Sequence, residues 1–293
     1  MPPDLDALPI ALVGAGAVGR ALALACRNAG LPVEAVLSRS AESAGRVAEE
    51  AEIPIYGGSL DLPADIRLAL ICTPDGAIAG VAEALAQREH PWTETWVGHT
   101  SGALSAEALE AVRARGARVF GFHPLQTLTR TSDPSVLRGA VAGVEDDESE
   151  VGRALALRLG MRPLPLKADQ KARYHLAASL ASNGLVALMG VVADVLETLG
   201  LGREEASGVM RPLLQGTLAN LDRGTPESAL TGPVARGDAE TVRRHLDALS
   251  GDLADRQAVY RALQREALRI ALRFGSLSDG QIEEMQDVLD DRD

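Results

Sequence analysis

The sequence predicts an α/β fold, a doubly wound parallel sheet followed by an all-α domain, and three observations carry that prediction. Over the first 166 residues short β-type runs alternate with stretches of helical spacing, the order that right-handed βαβ units impose. One run, 67–72 (RLALIC), is wholly apolar after Arg67, as a strand buried on both faces of a parallel sheet must be. From Lys167 onward only helical spacing remains. The change in pattern sets a domain boundary, 1–166 and 167–293.

Taken in order, 9–13 is an apolar run that stops at glycines, 18–29 has helical spacing, and 33–37 is strand-like again. Ser40 is an N-cap-type residue, so 40–51 reads as a helix. After the strand 67–72 come a helix over 76–87, a strand over 95–98, a helix over 105–115 and a strand over 118–122. The later helices are expected over 169–199, 203–221, 238–249, 252–274 and 278–289. No internal repeat or low-complexity linker interrupts the chain.

Composition narrows the function. A hydrophobic fraction of 46% and a charged fraction of 24% are ordinary for a globular enzyme, and the 3% of aromatics leave Ala, Leu and Val to build the core. The formal net charge of −12 argues against a broad nucleic-acid or anionic-membrane surface, which needs clustered Lys and Arg. Cys26 and Cys72 each lie in an apolar run and read as small buried hydrophobes, without a disulfide framework. There is no basic segment followed by an apolar core at the N-terminus, and the apolar stretch 184–193 is halted by Asp194, too short for a bilayer. The expectation is a soluble cytoplasmic protein whose partners are small molecules or other protein chains.

Gly14-Ala15-Gly16-Ala17-Val18-Gly19 is a G-x-G-x-x-G, directly after the first strand and opening the first helix. That context is what a Rossmann dinucleotide fingerprint requires. Gly14 permits the tight turn, Gly16 lets backbone approach a pyrophosphate, and Gly19 allows close helix–strand packing. The helix N-terminus offers unpaired N–H groups to the phosphates. An NAD enzyme usually carries an acid about 20 residues further on, to bind the ribose hydroxyls. Here that place holds Ser38-Arg39-Ser40, and a guanidinium with two hydroxyls suits the 2′-phosphate of NADP(H). The alternative is a solvated Arg39 and a Ser40 that only caps the next helix. Cys72-Thr73-Pro74-Asp75 and His99-Thr100-Ser101-Gly102 end two strands at the edge where ligands bind in this architecture. Both are candidates for the nicotinamide side of the crevice, or for ordinary turn chemistry.

Hydride transfer to a C=O or C=N group needs a proton donor or a group that stabilises developing charge. Lys171, His175, Ser179 and Ser182 recur at spacings of four, four and three, on one helical stripe. Leu176 and Leu180 lie off that stripe, so on an otherwise buried helix the polar groups should face a polar cleft. Of 29 basic residues only Lys167 and Lys171 are lysines. A desolvated lysine can be tuned to donate a proton at neutral pH, and an arginine cannot. Lys171 is therefore the candidate proton donor, with His175 as the competing one. His123, in Gly121-Phe122-His123-Pro124-Leu125-Gln126-Thr127, ends a strand and either contacts substrate with Pro124 or bonds loop backbone. His90 and His245 lack such context, and no metal-ligand spacing occurs. The stretch 229–238 (ALTGPVARGD) interrupts the helices. It can present Thr231, Gly232 and Arg236 to a substrate carboxylate, or serve as a connector ending with Asp238 as an N-cap.

With GAGAVG, GFHPLQT, 169–188 (DQKARYHLAASLASNGLVAL) and ALTGPVARGD in place, the chain resembles a family that pairs a Rossmann-like domain with the domain of unknown function numbered 2520. It is similar to the 6-phosphogluconate dehydrogenase-like oxidoreductases. The resemblance implies NADP binding, a helical dimerisation domain and a site between the domains. Lys171 matches the lysine of the Lys-x-x-x-Asn pair of ketopantoate reductases, with His175 where the asparagine would stand. The Thr231–Arg236 loop is similar in kind to the substrate-carboxylate loop of pyrroline-5-carboxylate reductases. His123-Pro124 is similar to a pair in prephenate dehydrogenases. The expected reaction is NADPH-dependent reduction of a small 2-oxo or imino acid. Ser101, Gly102, Ser179, Asn183 and Arg236 are the candidate substrate contacts. The expectation from another class is an NADP-binding sensor or regulatory module without turnover.

Overall fold

The computed structural model describes residues 3–146, 150–275 and 277–290, and the chain divides into two compact units, Met1–Ser182 and Asn183–Asp293. In the first unit continuous apolar runs form strands because a parallel sheet covered by helices buries both faces. Its strands are β1 (Ile10–Val13), β2 (Val33–Leu37), β3 (Ile55–Gly57), β4 (Leu68–Ile71), β5 (Trp96–His99), β6 (Arg118–Leu125), β7 (Val141–Glu145) and β8 (Arg162–Pro165). They lie in the order β3-β2-β1-β4-β5-β6-β7-β8, with every pair parallel except β6 and β7. The order reverses between β1 and β4, which opens a crevice at their carboxyl ends.

Helices α1 (Ala17–Asn28), α2 (Ala41–Ala51), α3 (Asp75–Ala86), α4 (Glu110–Arg113) and α5 (Val151–Arg158) accompany the sheet. Two apolar clusters fill the space. Leu12, Leu22, Val36, Leu70, Phe120 and Phe122 belong to one, and Val13, Ile71, Ile78, Leu85 and Val97 to the other. Cys26 and Cys72 are free and buried, and burial pushes both thiols up to about 12, so neither is a nucleophile at neutral pH.

The sheet departs from the predicted parallel one in three strands. β3 is three residues long with exposed side chains, and β8 carries two prolines. Both are edge strands, where a missing N–H leaves no ladder bond unmade. β7 runs antiparallel to β6, with Gly121 opposite Glu145 and His123 opposite Gly143.

The first unit ends with α6 (Lys171–Ser179), so this helix groups with the sheet. The helical run continues through a π-helical turn at Leu180–Gly184. The second unit holds α7 (Leu185–Glu197), α8 (Arg203–Arg223), α9 (Pro226–Ala229), α10 (Pro233–Arg236), α11 (Ala239–Ala248), α12 (Gln257–Phe274) and α13 (Asp279–Asp290). Val234, Val242, Leu246, Leu268, Met285 and Leu289 form its main core. Asp194 accepts from Arg203 at 2.6 Å and Arg256 at 2.9 Å, and these two guanidiniums hold its carboxyl below the usual range.

One expectation is corrected here. The apolar stretch 184–193 lies within a helical run, Ala168–Glu197, that is long and apolar enough by length and composition to cross a membrane. Much of that run is exposed in the single chain, with Leu176, Leu180, Leu185 and Val186 among its exposed side chains. Helix α6 is therefore not the otherwise buried helix that the sequence predicts.

Candidate active site

The glycine fingerprint has the geometry its spacing predicts. Gly14 has φ +120° and donates its N–H to Leu37 O at 2.7 Å. A Cβ there would lie 2.7 Å from the Cys72 carbonyl oxygen, so only glycine lets β1 turn this close to the end of β4. A Cβ on Gly19 would run into the Gly14 carbonyl oxygen, which fixes how near α1 sits to the turn. Gly16 is the N-cap of α1, and a Cβ on it would meet nothing within 4 Å. The α1 N-terminus, with Ala15, Ala17 and Val18 around it, is thus left open to a ligand's phosphates. Thr73 Oγ1, at the end of β4 beside Cys72 and Pro74, is buried with no hydrogen-bond partner. An orphaned hydroxyl beside an open glycine cradle at the switch point fits a nicotinamide dinucleotide.

At the end of β2, Ser40 Oγ accepts from Ser43 N–H at 3.2 Å and caps α2. Ser38 is half-buried, its N–H donating to Gly57 O. Arg39 is exposed, and its guanidinium makes no hydrogen bond or ion pair among the described residues. The capping alternative therefore holds for Ser40, while Arg39 stays free to meet an anion.

His99 builds its own turn, the turn-chemistry alternative for that stretch. Its Nε2 donates to Ser105 O at 3.0 Å and its Nδ1 accepts from Ser101 N–H at 3.2 Å, with none of the residue exposed. Burial, joined by the nearby Lys171 ammonium, pushes His99 down to about 4. Ser101 likewise spends its side chain locally. Its Oγ accepts from the N–H groups of Ala103 at 3.1 Å and Leu104 at 3.0 Å. Its carbonyl oxygen accepts from Lys171 Nζ at 3.0 Å.

Lys171 is 1% exposed. Burial pushes its ammonium below the usual lysine range, and the charges of Glu145 and Asp75 oppose that shift. Its nitrogen is committed beneath the Ser101–Gly102 turn. That bond to Ser101 O makes Lys171 a support of the turn.

Three glycines make room for the side chains of α6. A Cβ on Gly121 would lie 3.1 Å from Lys171 Nζ. One on Gly102 would lie 2.7 Å from His175 Cδ2 and 2.9 Å from His123 Cε1, and one on Gly143 2.7 Å from Tyr174 Cζ. Lys171, Tyr174 and His175 share one helical face, and each fills the space of an absent side chain. The result is a half-buried polar cluster around Gly102. His123 Nδ1 is 2.9 Å from Tyr174 Oη, and the His123 and His175 rings are 6.1 Å apart. Burial, then the Lys171 ammonium and the neighbouring His175 ring, push His123 down to about 4, so it is neutral at neutral pH. Neither ring nitrogen of His175 is bonded among the described residues.

Pro124 is buried next to His123, and Ser179 is half-buried one turn beyond His175. Ser182 Oγ lies 3.2 Å from Thr127 Oγ1. Asn183, Thr231, Gly232 and Arg236 belong to the second unit. Asn183 is exposed in the π turn, and Gly232 has φ +98° as the N-cap of α10. Arg236 accepts from Gln281 through its carbonyl at 2.9 Å and leaves its guanidinium unpaired among the described residues. Asp238 caps α11 through Thr241 N–H at 3.0 Å, which is the connector reading of that stretch. Sequence reasoning missed Tyr174 and Glu145. Glu145 Oε2 accepts from Ala106 N–H at 3.0 Å and ties β7 to the turn after β5.

Residues 4–124 match the family described as a Rossmann-like domain, and residues 139–267 the Domain of unknown function (DUF2520). A candidate NADP oxidoreductase of Bacteroides fragilis is 26% identical, with a TM-score of 0.76 over 91% of this chain and 100% of that one. A Thermotoga maritima protein is also 26% identical, with a TM-score of 0.70 over 90% of this chain and 98% of its own. An Aspergillus terreus reductive aminase, solved with NADPH and ethyl levulinate, shares the fold at 20% identity. Its TM-score is 0.63, over 95% of this chain and 98% of that one. No curated protein matches the chain by sequence. A Rossmann-like domain thus leads and a DUF2520 domain follows, and the chain is similar over most of its length to NAD(P)-binding Rossmann oxidoreductases.

Proposed function

We propose that the protein is a cytoplasmic, NADP(H)-dependent reductase of a small 2-oxo or imino acid, of the 6-phosphogluconate dehydrogenase-like type. One observation carries this reading. The open glycine cradle and the unpaired Arg39 share a sheet with a half-buried cluster of ionisable side chains around Gly102. Gly14–Gly19 would hold the pyrophosphate, Ser38 and Arg39 the 2′-phosphate, and Thr73 the nicotinamide side. The reduced nicotinamide supplies the hydride. His175, with both ring nitrogens free, donates the proton to the forming hydroxyl or amine. His123, neutral, polarises the same atom, and Lys171 holds the turn that carries Gly102. Ketopantoate, pyrroline carboxylates and prephenate-like acids are the first substrates this reading names.

Fluorescence titration with NADPH and NADH tests the cofactor, and the same titration with 2-oxo and cyclic imino acids, followed by nicotinamide absorbance, tests the reaction. NADPH is expected to bind at least tenfold more tightly than NADH. Arg39→Glu should weaken NADPH about 10–100-fold, as loss of a charge-assisted contact does, and leave NADH within about threefold. Equal affinity for the two cofactors overturns the 2′-phosphate assignment. The commitment of Lys171 to a backbone carbonyl also suits a sensor without turnover, and selective binding with no substrate oxidising NADPH would favour that second reading.

We further propose a homodimer through the helical unit. Val209 and Leu213, one turn apart on α8, are 51% and 67% exposed, and Leu188, Val192, Val259 and Leu263 line an apolar cleft of about 290 Å³. Soluble monomers rarely leave such surface uncovered. Light scattering should give twice the chain mass, and Val209→Glu with Leu213→Glu should give the monomer. A wild-type monomer at micromolar concentration overturns the dimer.

A further inference from the structure

Tyr174 has no part in the reaction as proposed, yet among the described residues it makes the hydrogen bond that a ring nitrogen of His123 takes. Its Oη lies 2.9 Å from His123 Nδ1, with the two rings edge-on at 88°. The phenol reaches this place because position 143 has no side chain. A Cβ on Gly143 would lie 2.8 Å from the hydroxyl and 2.7 Å from Cζ. Gly143 is also the residue paired with His123 across β6 and β7, so helix, strand and histidine converge on one point.

The chemistry of the pair sets its direction. Burial pushes the Tyr174 phenol up to about 12, and the Gly143 backbone N–H opposes that shift. A phenol is a stronger donor than a neutral imidazole N–H, and an imidazole nitrogen is a stronger acceptor than a phenol oxygen. The hydroxyl proton therefore bridges to His123 Nδ1. A neutral imidazole that accepts at Nδ1 carries its proton on Nε2. Nε2 lies 3.0 Å from where a Cβ of Gly102 would be, on the side that also holds His175.

We propose that Tyr174 is a positioning residue that locks His123 as the Nε2–H tautomer, so that a neutral imidazole N–H is offered to the reacting oxygen or nitrogen beside Gly102. The tautomer rests on the contact between Tyr174 and His123 and on the chemistry of the two groups, and the use made of it rests on the reductase reading. A neutral donor suits that use, since it polarises a carbonyl or imine without giving up its own proton. Proton delivery then falls to the neighbouring His175.

The test uses the full chain with ¹⁵N-labelled histidine and long-range ¹H–¹⁵N correlation at pH 7.5, His123 being assigned with His123→Gln. Wild-type His123 should appear with Nε2 protonated and Nδ1 bare. Tyr174→Phe should raise the Nδ1–H population severalfold, while His99, bonded at both nitrogens, stays unchanged. Gly143→Ala, which keeps the hydroxyl and displaces the ring, should reproduce the change, so a Tyr174→Phe chain that fails to fold still leaves a second variant and the wild-type spectrum to decide. An Nδ1–H tautomer in the wild type, or the same populations in both variants, overturns the lock. In the same samples NADPH affinity should stay within threefold, and kcat with the acid that oxidises NADPH should fall about 10–100-fold at nearly constant KM. An intact lock without NADPH binding defeats the reductase reading and the use of the tautomer, not the tautomer.

Discussion

Lys171→Met should lower turnover at least about a hundredfold while leaving NADPH affinity within about threefold. The side chain touches neither the glycine cradle nor Arg39, so cofactor binding has no reason to change. What disappears is the bond from Nζ to Ser101 O and, with it, the support of the Ser101–Gly102 turn. Methionine fills the space beside Gly121 at similar length, and it removes a cation whose burial itself carries a desolvation cost. The carbonyl left without its partner costs about 1–3 kcal/mol. The chain should therefore stay folded, with modestly lower thermal stability. A second consequence follows from charge. The Lys171 ammonium is the next cause after burial of the low values of both His99 and His123. Its removal should raise both histidines, and the acid limb of the kcat profile should move to higher pH. Stopped-flow oxidation of NADPH across pH 5–8, beside a fluorescence titration, measures these effects together. Equal losses of turnover and NADPH affinity would defeat the role of Lys171 as a support for the turn.

Gly19→Ala should be the more destructive change, abolishing measurable NADPH binding and destabilising the first unit by about 3 kcal/mol or more, the range of overpacked cores. The added methyl would meet the Gly14 carbonyl oxygen, and its next protein neighbour beyond Gly14 is Cys72 Cβ at 3.3 Å. Neither can yield, because the turn at Gly14 already runs so close to Cys72 that a Cβ on Gly14 would stand 2.7 Å from the Cys72 carbonyl oxygen. Helix α1 would have to withdraw from the turn, carrying its N–H groups away from the phosphates. Gly16→Ala supplies the control. Its Cβ meets no protein atom within 4 Å, so stability should hold while NADPH affinity falls about tenfold or more. Chemical denaturation and NADPH titration of the two variants separate packing from ligand approach. A Gly19→Ala protein that binds NADPH normally would mean that the fingerprint does not hold the cofactor.

The inner sheet could be read from the sequence because burial on both faces writes a strand as an unbroken apolar run, as in Leu68–Ile71. β3, β7 and β8 could not. Ile55–Gly57 is short and exposed, Arg162–Pro165 carries prolines, and Val141–Glu145 alternates too weakly to stand apart from a loop. Glu145 was lost with its strand. Spacing placed Lys171 and His175 on one stripe, and they do share a face, but spacing cannot say what that face meets. It meets the sheet's glycines, while Leu176 and Leu180 point outward in the single chain. Tyr174 sits on the same face and was not singled out, since an aromatic at helical spacing carries no mark of its hydroxyl's partner. His99 was open to two readings for a different reason. A histidine at a strand's carboxyl end is where ligands bind, yet both of its nitrogens are used by the turn it begins.

The glycines at 102, 121 and 143 sit on three different segments, and each is matched by one side chain of a single helix. Volume is thus traded between partners far apart in the chain. Enlarging any of the three positions is tolerable only if its counterpart on α6 shrinks, so substitutions should be acceptable in complementary couples and damaging alone. A library randomising 143 with 174, or 102 with 175, would sample functional sequences that no single-site scan can reach. Redesign of this pocket has to treat the helix and the sheet edge as one unit of choice.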